Sequence, residues 1–276
     1  MSSRHHPAVA RLLRLAACTL AGLAAALMTG CATAPFTQRA QLNLIPDQQM
    51  SSMAATQYKD VVASAKLSSN QAYVQQVRQV GARIAAATED FCQHNSINMT
   101  FNWEFNVIHD DTQVNAWCMP GGKIAFYSAI MPLCQTDAGV AVVMGHEVAH
   151  ALARHGSERL SQTLLANLGM VAFAEALKSK PDQTRQLWLA AVGAGLQYGV
   201  QLPFSRQQEL EADRIGLILM AKAGYDPHYA IEFWTRMSSS GGNKPPELLS
   251  THPSDTHRIE QIRKYLPEAL TYYHPM

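Results

Sequence analysis

The sequence predicts an α+β domain that is mainly α-helical and carries one small antiparallel sheet. Apolar residues recur at helical spacing over residues 50–88 and over most of the chain after Tyr127. Alternating aromatic and β-branched residues are confined to residues 97–126. The chain has 276 residues, of which 47% are apolar and 16% charged, so it can build a full hydrophobic core.

The first 30 residues have the features of a bacterial lipoprotein signal peptide. Three arginines precede the uncharged apolar run 15–28, which is short for a bilayer span and is followed by a small residue and Cys31. Met28 stands where lipoproteins usually have Leu. This order predicts a signal peptide over residues 1–30 and attachment to a membrane through a lipid on Cys31. The alternative is an ordinary cleaved signal, or an uncleaved anchor, with an incidental cysteine.

The predicted lipid places the chain in the cell envelope of a Gram-negative bacterium, on the periplasmic side. Ala32 rather than Asp follows the cysteine, which favours the outer membrane. Residues 31–50 are polar and contain two prolines, so they are predicted to form a tether. A single domain is expected over residues 51–276.

Charge and cysteine content exclude two kinds of site. The formal net charge is +1 and no basic stripe is present, so no nucleic acid partner is expected. Cys92, Cys118 and Cys134 contain no Cys-x-x-Cys pair, which argues against zinc binding by cysteine. They allow at most one disulfide, and the sequence does not choose the pair. The oligomeric state is left open as well.

The strands are predicted between two helical regions. Residues 66–70 divide the first region into two helices, and residues 99–108 alternate as a strand does. Two shorter strands over residues 114–118 and 123–126 flank the turn signal Pro-Gly-Gly at 120–122. We expect these three strands to form the antiparallel sheet.

Six helices are predicted after Tyr127. The uncharged stretch 186–205 has a membrane span as its alternative interpretation, but its glycines and glutamines favour a buried helix. Ser157 is placed as an N-cap and Gly224 at a helix C-terminus. The predicted helices cover residues 136–154, 157–177, 182–200, 205–223, 227–237 and 255–265, with a Gly- and Pro-rich loop at 239–246.

The sequence His146-Glu147-Val148-Ala149-His150 has the spacing of a zinc site on a helix. Residues four apart lie on one face of a helix, so His146 and His150 can bind the same metal ion. Glu147 can then reach a water held by that ion and act as a general base. The apolar residues 140–144 predict that this helix is buried. The alternative is a chance match, so the site requires a third ligand.

A third histidine close to this motif is excluded. In the pattern His-Glu-x-x-His-x-x-Gly-x-x-His the last position is a ligand, and here it is Gly156. His155 lies one residue away from that position. It is expected at the C-terminus of the helix, where an imidazole interacts favourably with the helix dipole.

A later acidic stretch offers the third ligand instead. Glu209 and Asp213 are four apart and share a helix face, whereas Glu211 points away from it. We predict that Glu209 binds the metal and that Asp213 accepts the ring N–H of a ligand histidine. The alternative is a solvated acidic face paired with Arg206 and Arg214.

Several blocks in this order resemble the M48 peptidases. Within that family the chain is similar to the branch of CAAX-prenyl-protease-like, mitochondrial quality-control and bacterial periplasmic lipoprotein members. The resemblance covers about residues 55–266. Its blocks are WEFNVI at 103–108, NAWCMPGGKI at 115–124, HEVAH at 146–150, ELEAD at 209–213 and THPS at 251–254.

The resemblance implies a gluzincin-type peptidase domain that holds one Zn²⁺ per chain. The zinc ligands map to His146, His150 and Glu209. The general base maps to Glu147, and Asp213 falls where the family has an acid beside a ligand histidine. The small sheet is expected against the helix that carries the two histidines.

The resemblance also implies a substrate-binding edge strand and two further site residues. His252 maps to a histidine that can approach the zinc and block it, and Arg258 maps to an arginine that can stabilise an oxyanion. The alternatives are a loop histidine before a proline and a solvated arginine on a terminal helix. An extended peptide can add to the edge strand through main-chain hydrogen bonds, at a segment that includes Asn115, Ala116, Gly121 and Gly122.

The function expected from these residues is the hydrolysis of internal peptide bonds in proteins or peptides. Family analogy adds misfolded or misassembled envelope proteins as substrates. The helical repeat and spanning helices of some relatives are not found, so a peptidase domain alone is expected. One alternative is a chaperone-like or regulatory envelope lipoprotein whose zinc site is plugged by His252. Another is a structural lipoprotein with a degenerate site, against which the complete set of site residues argues.

Overall fold

A computed structural model describes residues 31–176, 182, 205–240, 247–252 and 256–275. The signal peptide predicted over residues 1–30 lies outside this part of the chain. So do the uncharged residues 186–204 and, apart from its first residue, the helix predicted over residues 182–200. Within the described ranges, no helix has both the length and the apolar character that crossing a bilayer requires.

The described residues are mostly helical with two small sheets, which confirms the predicted α+β class. The strands are β1 Cys31–Thr33, β2 Ala40–Leu42, β3 Glu104–Ile108, β4 Ala116–Met119 and β5 Lys123–Tyr127. The helices are α1 Asp47–Ser64, α2 Gln71–His94, α3 Met131–Cys134, α4 Asp137–Leu152, α5 His155–Ala176, α6 Arg206–Lys222, α7 Tyr229–Ser239, α8 Glu247–Thr251 and α9 Thr256–Leu270, with a 3₁₀ turn at Ser128–Ile130.

The helix boundaries follow from capping residues. The Asn70 side chain accepts hydrogen bonds from two backbone N–H groups of the first turn of α2. Ser205 and Gln208 form a reciprocal capping box at the start of α6. Gly224 ends that helix with a φ of 84°, in the left-handed region that glycine adopts without strain. The helix predicted over residues 205–223 is therefore confirmed.

The junction between α4 and α5 differs from the prediction. Arg154 takes a φ of 61°, so the chain turns sharply there and α5 begins at once with His155. Ser157 consequently lies buried inside the first turn of α5, and its predicted role as an N-cap was wrong. His155 is likewise the first residue of α5, whereas it was expected at the C-terminus of the preceding helix.

The second sheet is mixed rather than antiparallel. Its strand order is β3-β5-β4, with β5 antiparallel to β4 but parallel to β3. The predicted antiparallel arrangement is therefore wrong for one pairing, because β5 lies between the other two strands and runs parallel to β3. Period-2 alternation reports strand faces and carries no information about strand direction, which explains the error. Gly121 and Gly122 form the β4–β5 turn, each with a φ of 81°.

Helix α4 is the centre of the core. Every residue from Gly139 to Leu152 is buried, because α2, α6 and α7 surround the helix and β4 lies along its remaining side. The predicted packing of the sheet against this helix is therefore confirmed. Helix α9 packs on α6 and α7, and its Arg258 side chain lies 3.3 Å from His146 Nδ1.

The segment predicted as a tether is packed on the domain. Residues 31–42 form the β1–β2 hairpin, and Ala34 in its turn is fully buried. The ring of Phe36 meets the ring of Phe91 with centroids 5.0 Å apart, and the Arg214 guanidinium lies 4.9 Å from the Phe36 ring centre. The prediction that residues 31–50 form a tether is therefore wrong for the hairpin, because its polar side chains bind the domain, as Arg39 does through Glu158 and Glu211.

Cys92, Cys118 and Cys134, whose disulfide pairing the sequence does not decide, are free thiols. Cys92 and Cys134 are buried in the core, and Cys118 in β4 is half-buried. Burial raises the pKa of the Cys92 thiol to about 11, so this thiol stays protonated and unreactive near neutral pH.

Candidate metal centre

The backbones of α4 and α6 touch beside the His-Glu-x-x-His motif. A Cβ placed on Gly216 would lie 2.9 Å from the backbone N of His146, and one on Gly145 would lie 2.8 Å from the Gly216 carbonyl oxygen. Both distances are shorter than a real Cβ contact, so these positions require glycine. The contact brings Glu209, two turns earlier in α6, within reach of the two histidines of α4.

Four side chains converge on one point. His146, His150, Glu209 and His252 each offer an atom, and these atoms all lie within 4.8 Å of one another. His146 Nε2 lies 3.1 Å from His150 Nε2 and 3.2 Å from His252 Nδ1. Glu209 Oε1 lies 2.9 Å from His252 Nδ1 and 3.3 Å from His150 Nε2. The structure therefore brings the three predicted ligands together and adds His252 as a fourth neighbour.

These separations fit a tetrahedral metal ion. With bonds of about 2.0–2.1 Å, tetrahedral ligand atoms lie roughly 3.3 Å apart. The donor set of imidazole nitrogens and one carboxylate is one that zinc favours. Hydrogen bonding alone does not account for the cluster, because His146 Nε2 faces two other ring nitrogens and carries at most one proton.

Asp213 orients the first of these histidines. Its Oδ1 lies 3.0 Å from His146 Nδ1, the ring nitrogen on the far side from the cluster. Both Asp213 oxygens also accept hydrogen bonds from Arg258, at 2.7 Å each. Burial would raise the pKa of Asp213, but the adjacent Arg258 and His146 outweigh burial and lower that pKa. Asp213 therefore stays ionised and can hold the His146 ring with Nε2 directed to the cluster.

Arg258 lies behind the ligands rather than in a cleft. Its side chain is buried, it forms the bidentate pair with Asp213, and Nη1 lies 3.1 Å from Glu209 Oε2. The guanidinium carbon lies 3.6 Å from the centre of the Trp234 ring. To meet a substrate oxyanion, as the family resemblance implies, Arg258 would have to leave these partners.

Glu147 is a buried carboxyl group with an oxygen that has no hydrogen-bond partner among the described residues. That oxygen, Oε1, lies 3.6 Å from His252 Nε2. Burial raises the pKa of Glu147 to about 7, against the opposing effect of His252. A carboxyl group with such a pKa can both accept and return a proton near neutral pH.

A cleft of about 190 Å³ opens in front of Glu147 and His150. One wall is the strand β4 with the residue before it, including Asn115 and Ala116, and the other is the end of α4. In the described part of the chain, β4 pairs on one side only, with β5. Its second edge is the surface to which an extended peptide can add.

The two glycines predicted for this edge lie elsewhere. A Cβ on Gly122 would meet the ring of Trp103, and one on Gly121 would approach Ser51 of α1. They form the β4–β5 turn and are not among the residues that line the cleft. Cys31, the predicted lipid site, lies in β1 opposite Leu42.

Sequence reasoning missed two buried residues behind His150. His155 Nδ1 lies 2.9 Å from His150 Nδ1, and His155 Nε2 lies 2.9 Å from Glu211 Oε2. Burial would raise the pKa of Glu211, but hydrogen bonds from His155, Thr37 and Arg39 lower it to about 2. The offset of Glu211 from Glu209 predicted that Glu211 points away from the metal ligands, but no local signal placed His155 and the β1–β2 hairpin on that side of α6.

Comparisons with known proteins agree with this geometry. The profile of peptidase family M48 matches residues 50–266. The chain is 38% identical over 199 residues to the mitochondrial metalloendopeptidase OMA1 of Saccharomyces cerevisiae, which is 69% of this chain and 54% of that protein. It is 30% identical over 245 residues to human metalloendopeptidase OMA1, covering 86% of this chain and 46% of that protein.

A bacterial relative is similar to the same region. The β-barrel assembly-enhancing protease of Yersinia pestis is 29% identical over 222 residues, which is 79% of this chain and 43% of that protein. The chain thus spans about half the length of the curated relatives it matches. Because the family profile covers most of the sequence, from α1 to α9, the chain belongs to peptidase family M48.

Proposed function

We propose that this protein is a zinc-dependent endopeptidase that holds one Zn²⁺ through His146, His150 and Glu209. The observation that carries the proposal is the convergence of His146 Nε2, His150 Nε2 and Glu209 Oε1 at the spacing of ligands around a single ion. The named metalloendopeptidases among its relatives support the same activity. When bound, zinc supplies Lewis acidity and lowers the pKa of a water molecule at the site.

Side chains of the protein provide proton transfer, orientation of a ligand histidine and alignment of the peptide. Glu147 faces the cleft beside His150, so it can take the proton of the attacking water and deliver it to the leaving amine. Asp213 holds the His146 ring and Arg258 keeps Asp213 ionised. The free edge of β4, with Asn115 and Ala116 in the cleft wall, aligns an extended peptide in front of Glu147.

The proposal extends to substrates and location. We infer that the protein acts on misfolded or misassembled envelope proteins from the periplasmic side of an outer membrane, anchored by a lipid on Cys31. Relatives include both mitochondrial and bacterial proteins, so they do not decide the location. The proposed location rests on the order of arginines, apolar run and cysteine at the N-terminus. The Yersinia relative, named for enhancing β-barrel assembly, supports envelope proteins as substrates.

Zinc content and casein cleavage of the purified full-length chain test the proposal together. We expect one zinc per chain and cleavage that disappears on treatment with a zinc chelator and returns when zinc is added back. The physical reason is that Glu147 has no activated water to deprotonate without the ion. Cleavage that persists in protein shown to be metal-free would contradict the proposal.

A second candidate function rests on His252. Its Nδ1 lies 2.9 Å from Glu209 Oε1, in the place of a fourth ligand, and its Nε2 faces Glu147. Four protein ligands make a closed structural zinc site, whereas a catalytic site keeps one position open. A chaperone-like or regulatory lipoprotein with a zinc site plugged by His252 is consistent with this arrangement.

The variant His252→Ala distinguishes plugging from permanent closure. If His252 occupies the open position about 90% of the time, its removal raises casein cleavage by about tenfold, since the competent fraction rises in proportion. Zinc content should stay at the parental value because three ligands remain. His257→Ala, an exposed histidine nearby, is the control and should leave both quantities unchanged. Unchanged or lower cleavage by His252→Ala would show that His252 does not plug the site.

A further inference from the structure

A buried hydrogen-bonded chain leads away from His150 on the side opposite to the candidate metal position. His150 Nδ1 meets His155 Nδ1 at 2.9 Å, and His155 Nε2 meets Glu211 Oε2 at 2.9 Å. All three residues are buried, and His155 is fully so. His146 has an analogous contact on its own Nδ1, but there the carboxylate of Asp213 is direct.

A metal ion on His150 would fix the proton positions along this series of hydrogen bonds. If His150 binds the ion through Nε2, its single ring proton must be on Nδ1. That N–H donates to His155 Nδ1, so His155 carries its own proton on Nε2. The His155 Nε2–H then donates to Glu211, which must be an ionised acceptor. One carboxylate therefore selects the tautomers of two histidines and directs His150 Nε2 to the metal.

The β1–β2 hairpin holds that carboxylate from outside. The Thr37 hydroxyl donates to Glu211 Oε1, and Arg39 Nε donates to Glu211 Oε2 at 2.8 Å. The other two nitrogens of Arg39 donate to the two oxygens of Glu158 at 2.9 and 2.7 Å. The guanidinium thus joins α5 to α6 beside the metal centre. Of its two carboxylate partners, Glu211 is the one from which the hydrogen bonds lead through His155 to His150.

We propose that Arg39 and Thr37 are positioning residues for the metal centre, acting through Glu211 and His155 to hold His150 in its ligating tautomer and orientation. The inference rests on the proposed zinc site and assigns a role in it to the N-terminal hairpin. The hairpin begins at Cys31, so the segment that carries the proposed lipid also supports a metal ligand. Loss of the hairpin contacts therefore weakens zinc binding even though no ligand is changed.

Two isosteric variants separate this role from general stability. Glu211→Gln and Glu158→Gln each remove one buried carboxylate bound by Arg39, and Glu211 is the one that is hydrogen-bonded to His155 at 2.9 Å. The full-length metal-free proteins are titrated with zinc against a chromogenic chelator, and their Tm values are measured without metal. We expect Glu211→Gln to weaken zinc affinity by about tenfold, the lower end of the loss when the partner of a metal ligand is changed, because Glu211 acts through His155. Glu158→Gln should lower Tm but leave zinc affinity at the parental value.

Arg39→Gln keeps the test decisive if Glu211→Gln does not fold. Arg39 is partly exposed and lies outside the core formed by α4 and α6, so this variant should fold and lose zinc affinity in the same direction. The inference would be overturned if Glu211→Gln and Arg39→Gln bound zinc as tightly as the parent and Glu158→Gln do. The proposed zinc site would then still stand. A parent that binds no zinc would overturn the proposed function and this inference together.

Discussion

Replacing Glu147 by Gln is expected to lower kcat for casein cleavage by about 10²–10⁴-fold, the contribution typical of a general base. Gln keeps the shape of the side chain but cannot accept a proton. Glu147 is suited to this role because it is buried beside His150, faces the cleft and has a pKa raised by burial to about 7. Zinc content should not change, since Glu147 is not among the four converging ligands.

The control for this variant is Glu260→Gln, which removes an exposed carboxylate of α9 and should retain parental cleavage. Both variants are compared with the parent by initial rates and by zinc content per chain. Equal rates for the parent and Glu147→Gln would favour a structural lipoprotein with a degenerate site. That result would also remove the proposed function.

Arg258→Met is expected to destabilise the metal-free protein by about 3–5 kcal/mol, the usual cost of leaving a buried ion-pair partner uncompensated. Met preserves most of the side-chain volume, so the loss comes from charge rather than from a cavity. Asp213 would lose its bidentate partner and Glu209 Oε2 its nearest cation, both in a buried environment. The interaction of the guanidinium with the Trp234 ring would also disappear.

Urea unfolding measures this effect, with metal removed because zinc bound to the native state would add its own stabilisation. Arg214→Met is the matched control. Arg214 also forms a bidentate pair, with Glu268 at 2.7 Å, but the two side chains are 35% and 34% exposed. Its loss should cost less than about 1 kcal/mol, because water screens the pair. Similar losses for both variants would show that burial does not govern the Arg258 pair.

Much of the site was accessible from local sequence patterns. The i, i+4 spacing of His146 and His150, and of Glu209 and Asp213, follows from helix geometry alone. The apolar residues before His146 predicted burial, and Ser205 predicted the start of α6, as the structure shows. Such features depend only on neighbours within a few residues, so the sequence carries them directly.

Other features depend on contacts between distant segments. The parallel pairing of β3 with β5 joins two strands that are not consecutive in the chain, and side-chain alternation is the same for parallel and antiparallel strands. The sequence predicted His155 as a helix-terminal imidazole and Glu211 as a residue that points away from the metal ligands. Their roles depend on the turn at Arg154 and on the hairpin that carries Arg39. No local pattern places Arg39 beside a residue 172 positions away.

That separation along the chain has a consequence for biosynthesis. A chain synthesised as far as residue 200 contains both histidines of the motif but neither Glu209 nor Glu211, and its N-terminal hairpin has no carboxylate of α6 to bind. The hairpin can therefore complete its contacts with α6 only after Glu211 has been made, when a loop of 172 positions closes. Since binding of an ion depends on ligands gathered by the complete fold, nascent chains lack the proposed catalytic centre.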